Sequence, residues 1–336
     1  MYHNLLTVAQ KPPHNLSEEE LDVYSHIMLA VVDHDYYGKT QALFNAVFRE
    51  LHMEGYGYTM AIGATERVDE IYHALRSDVR YQGGGVGSGF KEKILPYLDS
   101  LDPHARALGS VNHVVRLSDN LLKGFNTDGL GYVAGLEQVM EERNHKLEGS
   151  MVVMLGAGGT APSIGFALAE RCAHIIILNR TVEKSERLAK RINDFSCRPC
   201  AAFGGEEDIP NALAHADVVV NVSKKGDLAG GLAEFSALAP ASDISKEGVN
   251  RNHEESRRIL ETLDPKKVIV SDIILRETPT LSLAREAGLT VQDGRPMNLN
   301  QAVAAFMLSF ANVLDRYNAD EGHVREIMSR TLEDIS

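Results

Sequence analysis

The chain is poor in cysteine, poor in positive charge, and has no long apolar run. Three cysteines in 336 residues, Cys172, Cys197 and Cys200, do not make a disulfide framework. Cys197-Arg-Pro-Cys200 has CxxC spacing, but a zinc site needs a second ligand pair, and the sequence has neither a second CxxC nor a nearby HxxxH. A redox role would ask for a thioredoxin-like setting, so both are read as ordinary loop or strand cysteines. Lys and Arg total 34 against 47 Asp and Glu, a formal net charge of −13. That balance argues against nucleic acid or an anionic membrane as partner. It leaves room for a small anion held by a few local basic groups. No run of about 18 apolar residues occurs, so no transmembrane helix is expected. Residues 1–20 lack a basic segment followed by an apolar one, so no secretory leader is expected and the cytoplasm is the default compartment. Internal repeats and low-complexity segments are also missing.

What is present is enough apolar material, 44%, to bury a sizeable core, in a length that suggests two domains. Residues 1–20, with Pro12-Pro13, read as a loose arm. Leu21 to His34 is a strand or a helix entry. Lys39 to Met53 has apolar residues at Leu43, Phe44, Val47, Phe48 and Leu51, which is helix periodicity. Tyr58 to Ile62 reads as a strand and Arg67 to Leu75 as a helix. The glycines between 83 and 89 mark an irregular loop, with a helix starting near Phe90. Residues 109–115 and 121–125 suggest a hairpin. From about residue 131 the texture changes. Tyr132 to Glu142 is a helix, and MVVML (151–155), HIIIL (174–178), ADVVVNVS (216–223) and KVIVSDII (267–274) are apolar runs suited to buried parallel strands. LTVQ (289–292) is a candidate last strand, 181–193 a helix charged on one face, and 299–317 a long apolar helix. Strands alternating with helices predict a parallel α/β sheet.

One loop in that sheet carries chemistry. A buried strand runs straight into Gly156-Ala157-Gly158-Gly159-Thr160, and a helix follows. In that context the glycines permit a tight turn, and the helix N-terminus offers N–H groups to a pyrophosphate. The next strand ends in Asn179-Arg180-Thr181. An NAD-preferring fold usually ends it with an acidic residue on the ribose 2′-OH. An arginine there pairs instead with a 2′-phosphate, so NADP is expected, with NAD as the alternative because Glu183 is close by.

Four polar residues sit at element ends: Lys91 after the glycine-rich loop, Asn112 after GSV, Asp128 within GFNTDGLGY (124–132), and Gln301 at the start of the long helix. By composition alone Asp128 is also a good helix cap. The motifs FKEKI (90–94), GSVNHVV (109–115), GFNTDGLGY, LGAGGTA (155–161), LNRT (178–181), NVSKKG (221–226) and GRPMNLNQAVAAF (294–306) together resemble the shikimate/quinate dehydrogenase family, in order, over most of residues 80–310. GAGG follows the aspartate of NTDG by 28 residues.

The resemblance implies a two-lobed α/β protein. Its N-terminal α/β substrate lobe covers residues 21–129, completed by C-terminal helices at about 296–336, and its C-terminal Rossmann lobe covers residues 130–295. It implies that Lys91 and Asp128 are catalytic and that Asn112 and Gln301 hold ring hydroxyls. It also implies that Gly156, Ala157, Gly158, Gly159, Thr160, Asn179, Arg180, Thr181, Asn221 and Val222 bind NADP. A lysine suits this chemistry, because an amine accepts the alcohol proton in oxidation and an ammonium returns it in reduction.

The departures lie on the substrate side. Where the family has Ser-x-Ser-Pro against the carboxylate, this chain has Gly38-Lys39-Thr40-Gln41, and only Thr40 keeps a hydroxyl. The family's Asn-Val-Thr-x-Pro reads Gly85-Val86-Gly87-Ser88-Gly89, and a substrate-facing tyrosine becomes Leu275. Residues 228–262 are longer than the usual connection. These changes suggest a substrate altered at the carboxylate end, such as a cyclic polyol, unless Lys39, His34, Tyr36 or Tyr37 rebuilds the anchor. The readings carried forward are an NADP-dependent dehydrogenase of shikimate or a related ring alcohol, a quinate or cyclitol dehydrogenase with NAD, and a non-catalytic NADP-binding sensor. A different Rossmann enzyme, of methylene-folate or glutamyl-reductase type, is disfavoured by the NTDG block and Gln301. The expected partner is a small molecule, with monomer and homodimer both open.

Overall fold

A computed structural model describes residues 23–33, 39–87, 89–117, 120–228, 231–241 and 243–335. The N-terminal arm, His34, Tyr36, Tyr37, Gly38 and Ser88 lie outside the described residues. The chain divides into two compact units, one of the residues before Asp128 together with those from Leu299 on, the other Asp128–Asn298.

The first unit runs β1 (His26–Val32), α1 (Lys39–Glu50), β2 (Tyr56–Ile62), α2 (Val68–Ser77), β3 (Tyr81–Gly85), β4 (Ser100–Leu101), α3 (Pro103–Leu108), β5 (His113–Arg116) and β6 (Leu122–Phe125). Among the described residues its sheet has the order β2-β1-β3-β5-β6-β4. The β1 strand is parallel to β2 and β3, while β5 is antiparallel to β3 and β6. The strand HIMLAVV is buried on both faces, as its unbroken apolar run requires. The periodic residues of α1 are buried at Leu43, Phe44, Val47 and Phe48.

Two expectations fail here. Gly83–Gly85 is not loop but strand, in the middle of the sheet. Glycine disfavours strands in general. At Gly83, however, φ is +120° and a Cβ would stand 2.0 Å from the Val114 carbonyl oxygen, while at Gly84 it would stand 2.0 Å from that of Leu29. The glycines are there so that both neighbouring backbones can close in. The helix expected from Phe90 is a set of turns ending in a 3-10 segment, Leu95–Tyr97. Pro96 prevents its extension as an α-helix. Lys91 therefore sits in a turn.

The second unit runs α4 (Asp128–Glu142), β7 (Met151–Leu155), α5 (Ala161–Glu170), β8 (His174–Leu178), α6 (Val182–Ser196), β9 (Ala201–Gly204), α7 (Ile209–Leu213), β10 (Val218–Asn221), α8 (Lys246–Leu260), β11 (Ile269–Asp272), α9 (Pro279–Glu286) and β12 (Thr290–Gln292). Every pairing in its sheet is parallel, in the order β12-β11-β10-β7-β8-β9. Counted within the unit, that is the 3-2-1-4-5-6 order of a dinucleotide-binding fold. Strand β9 was not legible: AAFG is short, lies at the sheet edge and leaves Ala202 and Phe203 exposed, so no buried apolar run announces it.

The long helix α10 (Arg295–Leu314) begins in the last residues of the second unit, and α11 (Glu321–Asp334) follows. Gln301 lies in its second turn rather than at its start, because the helix opens at Arg295, before the residue 299 expected. By length and composition Arg295–Tyr317 would reach across a membrane, with a mean hydropathy of 1.2. Its apolar side is taken up instead by the first unit's core, where Ala302, Val303, Phe306 and Phe310 pack with Met28, Phe44, Val47, Val324 and Met328. Cys197 ends α6 in the left-handed conformation and Cys200 is buried. Among the described residues no three metal-ligating side chains come together.

Candidate active site

In the first unit, three of the residues expected to touch substrate form one hydrogen-bonded chain, joined by a residue whose role was not expected. Asn112 donates through Nδ2 to Thr127 Oγ1 at 3.0 Å, and its Oδ1 accepts the Thr127 backbone N–H at 2.9 Å. Thr127 Oγ1, with its single proton, faces both Asn112 Oδ1 at 3.4 Å and Gln301 Oε1 at 3.5 Å, and Gln301 Nε2 donates to Thr40 Oγ1 at 3.3 Å. Asn112 and Thr127 are buried, whereas Gln301 and Thr40 are half-buried. The sense of donation leaves the Thr40 hydroxyl proton as the open end. Thr40 is the second residue of α1, where helix N–H groups favour an anion.

Backbone bonds set the rest of this frame. The Lys91 carbonyl accepts the Val111 N–H at 2.9 Å, the Asn112 carbonyl accepts from Val86 at 2.8 Å, and Asn112 N–H donates to Phe125 O at 2.9 Å. Lys91 is thus tied to the residue next to Asn112, and its side chain is half-buried. Asn45, on α1, clamps the Tyr58 backbone through both its amide atoms. Tyr58 Oη accepts the Gly85 N–H at 3.0 Å, and a Cβ at residue 85 would stand 2.9 Å from that oxygen. At residue 87 a Cβ would stand 2.9 Å from Val32 Cγ1. An asparagine or threonine at these positions would need its neighbours to shift, and at residue 85 the neighbour is the Tyr58 hydroxyl.

Asp128 is the first residue of α4 and is half-buried. Its neighbour Gly129 donates its N–H to Ser163 Oγ at 2.7 Å. A Cβ at Gly129 would stand 2.0 Å from the Ser163 carbonyl. The glycine after the aspartate is what lets α4 lie against the first turn of α5.

In the second unit the glycine loop lies at the C-terminal end of β7, next to β10, where the strand order reverses. Gly156 has φ +120°, and a Cβ there would meet Ser223 N at 2.9 Å. Gly158 and Gly159 are exposed, with nothing within 4 Å of a Cβ at Gly159. Thr160 precedes α5 without a side-chain capping bond. This is a cradle with open backbone at a helix start, and it fits a pyrophosphate. Asn179 braces it, accepting from Ala157 N at 3.2 Å and donating to Thr181 O at 2.9 Å. Arg180 and Thr181 are exposed at the end of β8.

Asn221 is fully buried. Its amide donates to Lys225 O and to Asp272 Oδ2, each at 2.9 Å, and its Oδ1 accepts from Ser223 N–H and Oγ. Its side chain therefore shapes the turn carrying Val222 and Ser223. Burial pushes the Asp272 carboxyl up to about 6, against the pull of hydrogen bonds from Asn221, the Ile274 N–H and Thr278. Leu275, in place of the family's tyrosine, is exposed.

This strand order, with a glycine turn at its reversal point, in a chain that also carries a buried amide–hydroxyl network, defines a dinucleotide-dependent oxidoreductase of two α/β units. Residues 36–114 match the shikimate dehydrogenase substrate binding domain, and residues 138–227 match shikimate/quinate 5-dehydrogenase. The shikimate dehydrogenase (NADP(+)) of Geobacillus kaustophilus is 37% identical over 227 residues, 67% of this chain and 71% of that protein. The chain belongs to the shikimate/quinate dehydrogenase family. In fold it is similar to shikimate 5-dehydrogenase from Listeria monocytogenes, solved with shikimate and NAD, at TM-score 0.73, 23% identity and 94% and 98% coverage of the two chains. It is likewise similar in fold to ligand-free 5-ketofructose reductase of a Gluconobacter species, at TM-score 0.71, 24% identity and 93% and 99% coverage.

Of the residues that place the site, Thr127 stood in the quoted motif without a role. Tyr58 and Ser163 gave no signal, because each acts on a backbone group that is distant in sequence.

Proposed function

We propose that the chain is an NADP-dependent dehydrogenase that interconverts a secondary alcohol and a ketone on a hydroxylated, carboxylated ring of the shikimate type. The observation that carries this is the hydrogen-bonded chain from Asn112 through Thr127 and Gln301 to Thr40. It presents amides for ring hydroxyls and ends in a hydroxyl donor at a helix N-terminus, which suits a carboxylate.

Gly156 to Thr160 would hold the pyrophosphate, and Arg180 and Thr181 the 2′-phosphate. Val222, in the turn that Asn221 shapes, would line the nicotinamide end. When bound, NADP supplies the hydride acceptor for oxidation, and NADPH the donor for reduction. Lys91 takes the alcohol proton in oxidation and returns it to the carbonyl oxygen in reduction. Asp128 would accept a hydrogen bond from the substrate hydroxyl. Asn112, with both amide ends fixed by Thr127, would face a ring hydroxyl.

A ring lacking the carboxylate is the second reading. It is favoured by the tight packing around the glycines at residues 85 and 87 and by Thr40 standing without the family's serines. Initial rates with NADP and NAD over shikimate, quinate, shikimate methyl ester and cyclitols decide between them. Shikimate well ahead of its ester supports the carboxylate reading, and a cyclitol ahead of both supports the second. Tight NADP binding with no turnover of any ring alcohol leaves a non-catalytic sensor.

A further inference from the structure

The turn after β10 holds a buried lysine. Lys225 is 7% exposed. Its Nζ donates to Glu206 Oε1 at 2.7 Å and to the Ala239 carbonyl at 2.6 Å. Burial lowers its pKa from the ordinary lysine value and Glu206 opposes that; Arg180 lowers it further, and Glu255 of α8 raises it. Arg180 and Glu206 are thus each within electrostatic reach of Lys225.

Glu206 stands where a carboxylate works against a 2′-phosphate. Gly204 pairs with Leu178, and the Asn179 N–H donates to the Gly204 carbonyl at 3.2 Å. The 3-10 turn Glu206–Asp208 therefore opens beside Asn179-Arg180-Thr181. Asp208 is occupied with the Gly205 N–H at 2.9 Å. An uncompensated Glu206 would be drawn to a neighbouring cation, and Arg180 stands at the end of the adjoining strand β8. A guanidinium so engaged is a poorer phosphate ligand, and the carboxylate beside it repels the phosphate.

We propose that Lys225 is a specificity-determining residue for NADP, because by pairing with Glu206 it keeps that carboxylate off Arg180 and leaves the guanidinium for the 2′-phosphate. The inference rests on the reading above that Arg180 takes that phosphate. Lys225 is a positioning residue that acts through Glu206. The backbone of Lys225 belongs to the same device, since its carbonyl accepts from Asn221 and its N–H donates to Ser223 Oγ. The Ala239 carbonyl that it also engages lies in the connection between β10 and α8.

The test is calorimetric binding of NADP and of NAD to wild type, Lys225→Gln, Glu206→Gln and the double variant. The glutamine at 225 keeps a donor for the Ala239 carbonyl, and NAD affinity reports that the unit is folded. Lys225→Gln is expected to lose at least about tenfold in NADP affinity with NAD unchanged. Glu206→Gln is expected to keep the preference, and the double variant to regain it. A Lys225→Gln variant that keeps the wild-type preference overturns the inference alone, as does a double variant that fails to recover. A wild-type chain without preference for NADP overturns the cofactor reading itself, and the inference with it.

Discussion

Asn112 and Thr127 hold each other through both ends of the amide: Nδ2 donates to the threonine hydroxyl at 3.0 Å, and Oδ1 accepts from its backbone N–H at 2.9 Å and faces its hydroxyl at 3.4 Å. The pair fixes an amide expected to face the substrate and, one peptide bond later, the start of Asp128. Thr127→Val removes the hydroxyl and leaves the Asn112 Nδ2 and Gln301 Oε1 without that partner. The expected result is a KM for the ring substrate raised by roughly 10-fold or more, with NADP affinity unchanged and stability lower by about 1–3 kcal/mol. Thr127→Ser should restore most of it. Steady-state kinetics and thermal melts of the two variants check this.

Lys91→Met should lower kcat by roughly 100- to 10,000-fold, the usual worth of a positioned acid–base group. NADP binding, proposed for the second unit, should not move. Stopped-flow rates beside an equilibrium titration separate the two effects.

Arg180→Ala should weaken NADP by roughly 10- to 100-fold, as loss of a charge-assisted hydrogen bond predicts, and should leave NAD unchanged. An NADP-to-NAD ratio equal to that of wild type removes Arg180 from the phosphate site.

His113 gives the first unit an acid sensitivity. It is fully enclosed, contacts Ser309 Oγ at 2.9 Å, and burial lowers its pKa to about 4. The unfolded chain takes up a proton at about 6.5, where the folded one does not. Stability present above that pH is therefore lost as pH falls from about 6.5 to about 4, by about 3 kcal/mol. His113→Gln should flatten that limb of a melting-temperature profile. Asp272, in the second unit, has the opposite sign, since its folded pKa is raised to about 6. Its contribution is lost as pH rises toward neutrality.

Gly84→Ala tests the sheet itself. A Cβ would stand 2.0 Å from the Leu29 carbonyl at φ +149°, so the cost should exceed the roughly 1 kcal/mol of an ordinary glycine-to-alanine effect. A melt within a degree of wild type would contradict the close approach of β1 to β3 at this glycine.

What could be read from the sequence followed physical signal strength. MVVML and HIIIL were placed to the residue, because a strand buried on both faces leaves a continuous apolar run. The strand YQGGG was misread as loop, since its glycines answer to neighbouring backbones and not to propensity. The helix expected after Gly89 was stopped by Pro96, and AAFG at the sheet edge had too little burial to be noticed. At the site, Thr40, Asn112 and Gln301 were named by resemblance, and the structure joins them in one chain. The joint, Thr127, lay inside GFNTDGLGY but was hidden by its more reactive neighbour. Asn179 and Asn221 were expected against the cofactor. Their side chains are engaged with the loop and turn that would hold it, a distinction that one-dimensional spacing does not carry.

The most direct test of the account is kcat/KM for shikimate with NADP, measured in wild type and Lys91→Met. Saturable turnover in wild type, collapsing in the variant while NADP affinity holds, is the predicted result. Tight NADP binding with no oxidation of shikimate, or a Lys91→Met variant that turns over like wild type, would contradict it.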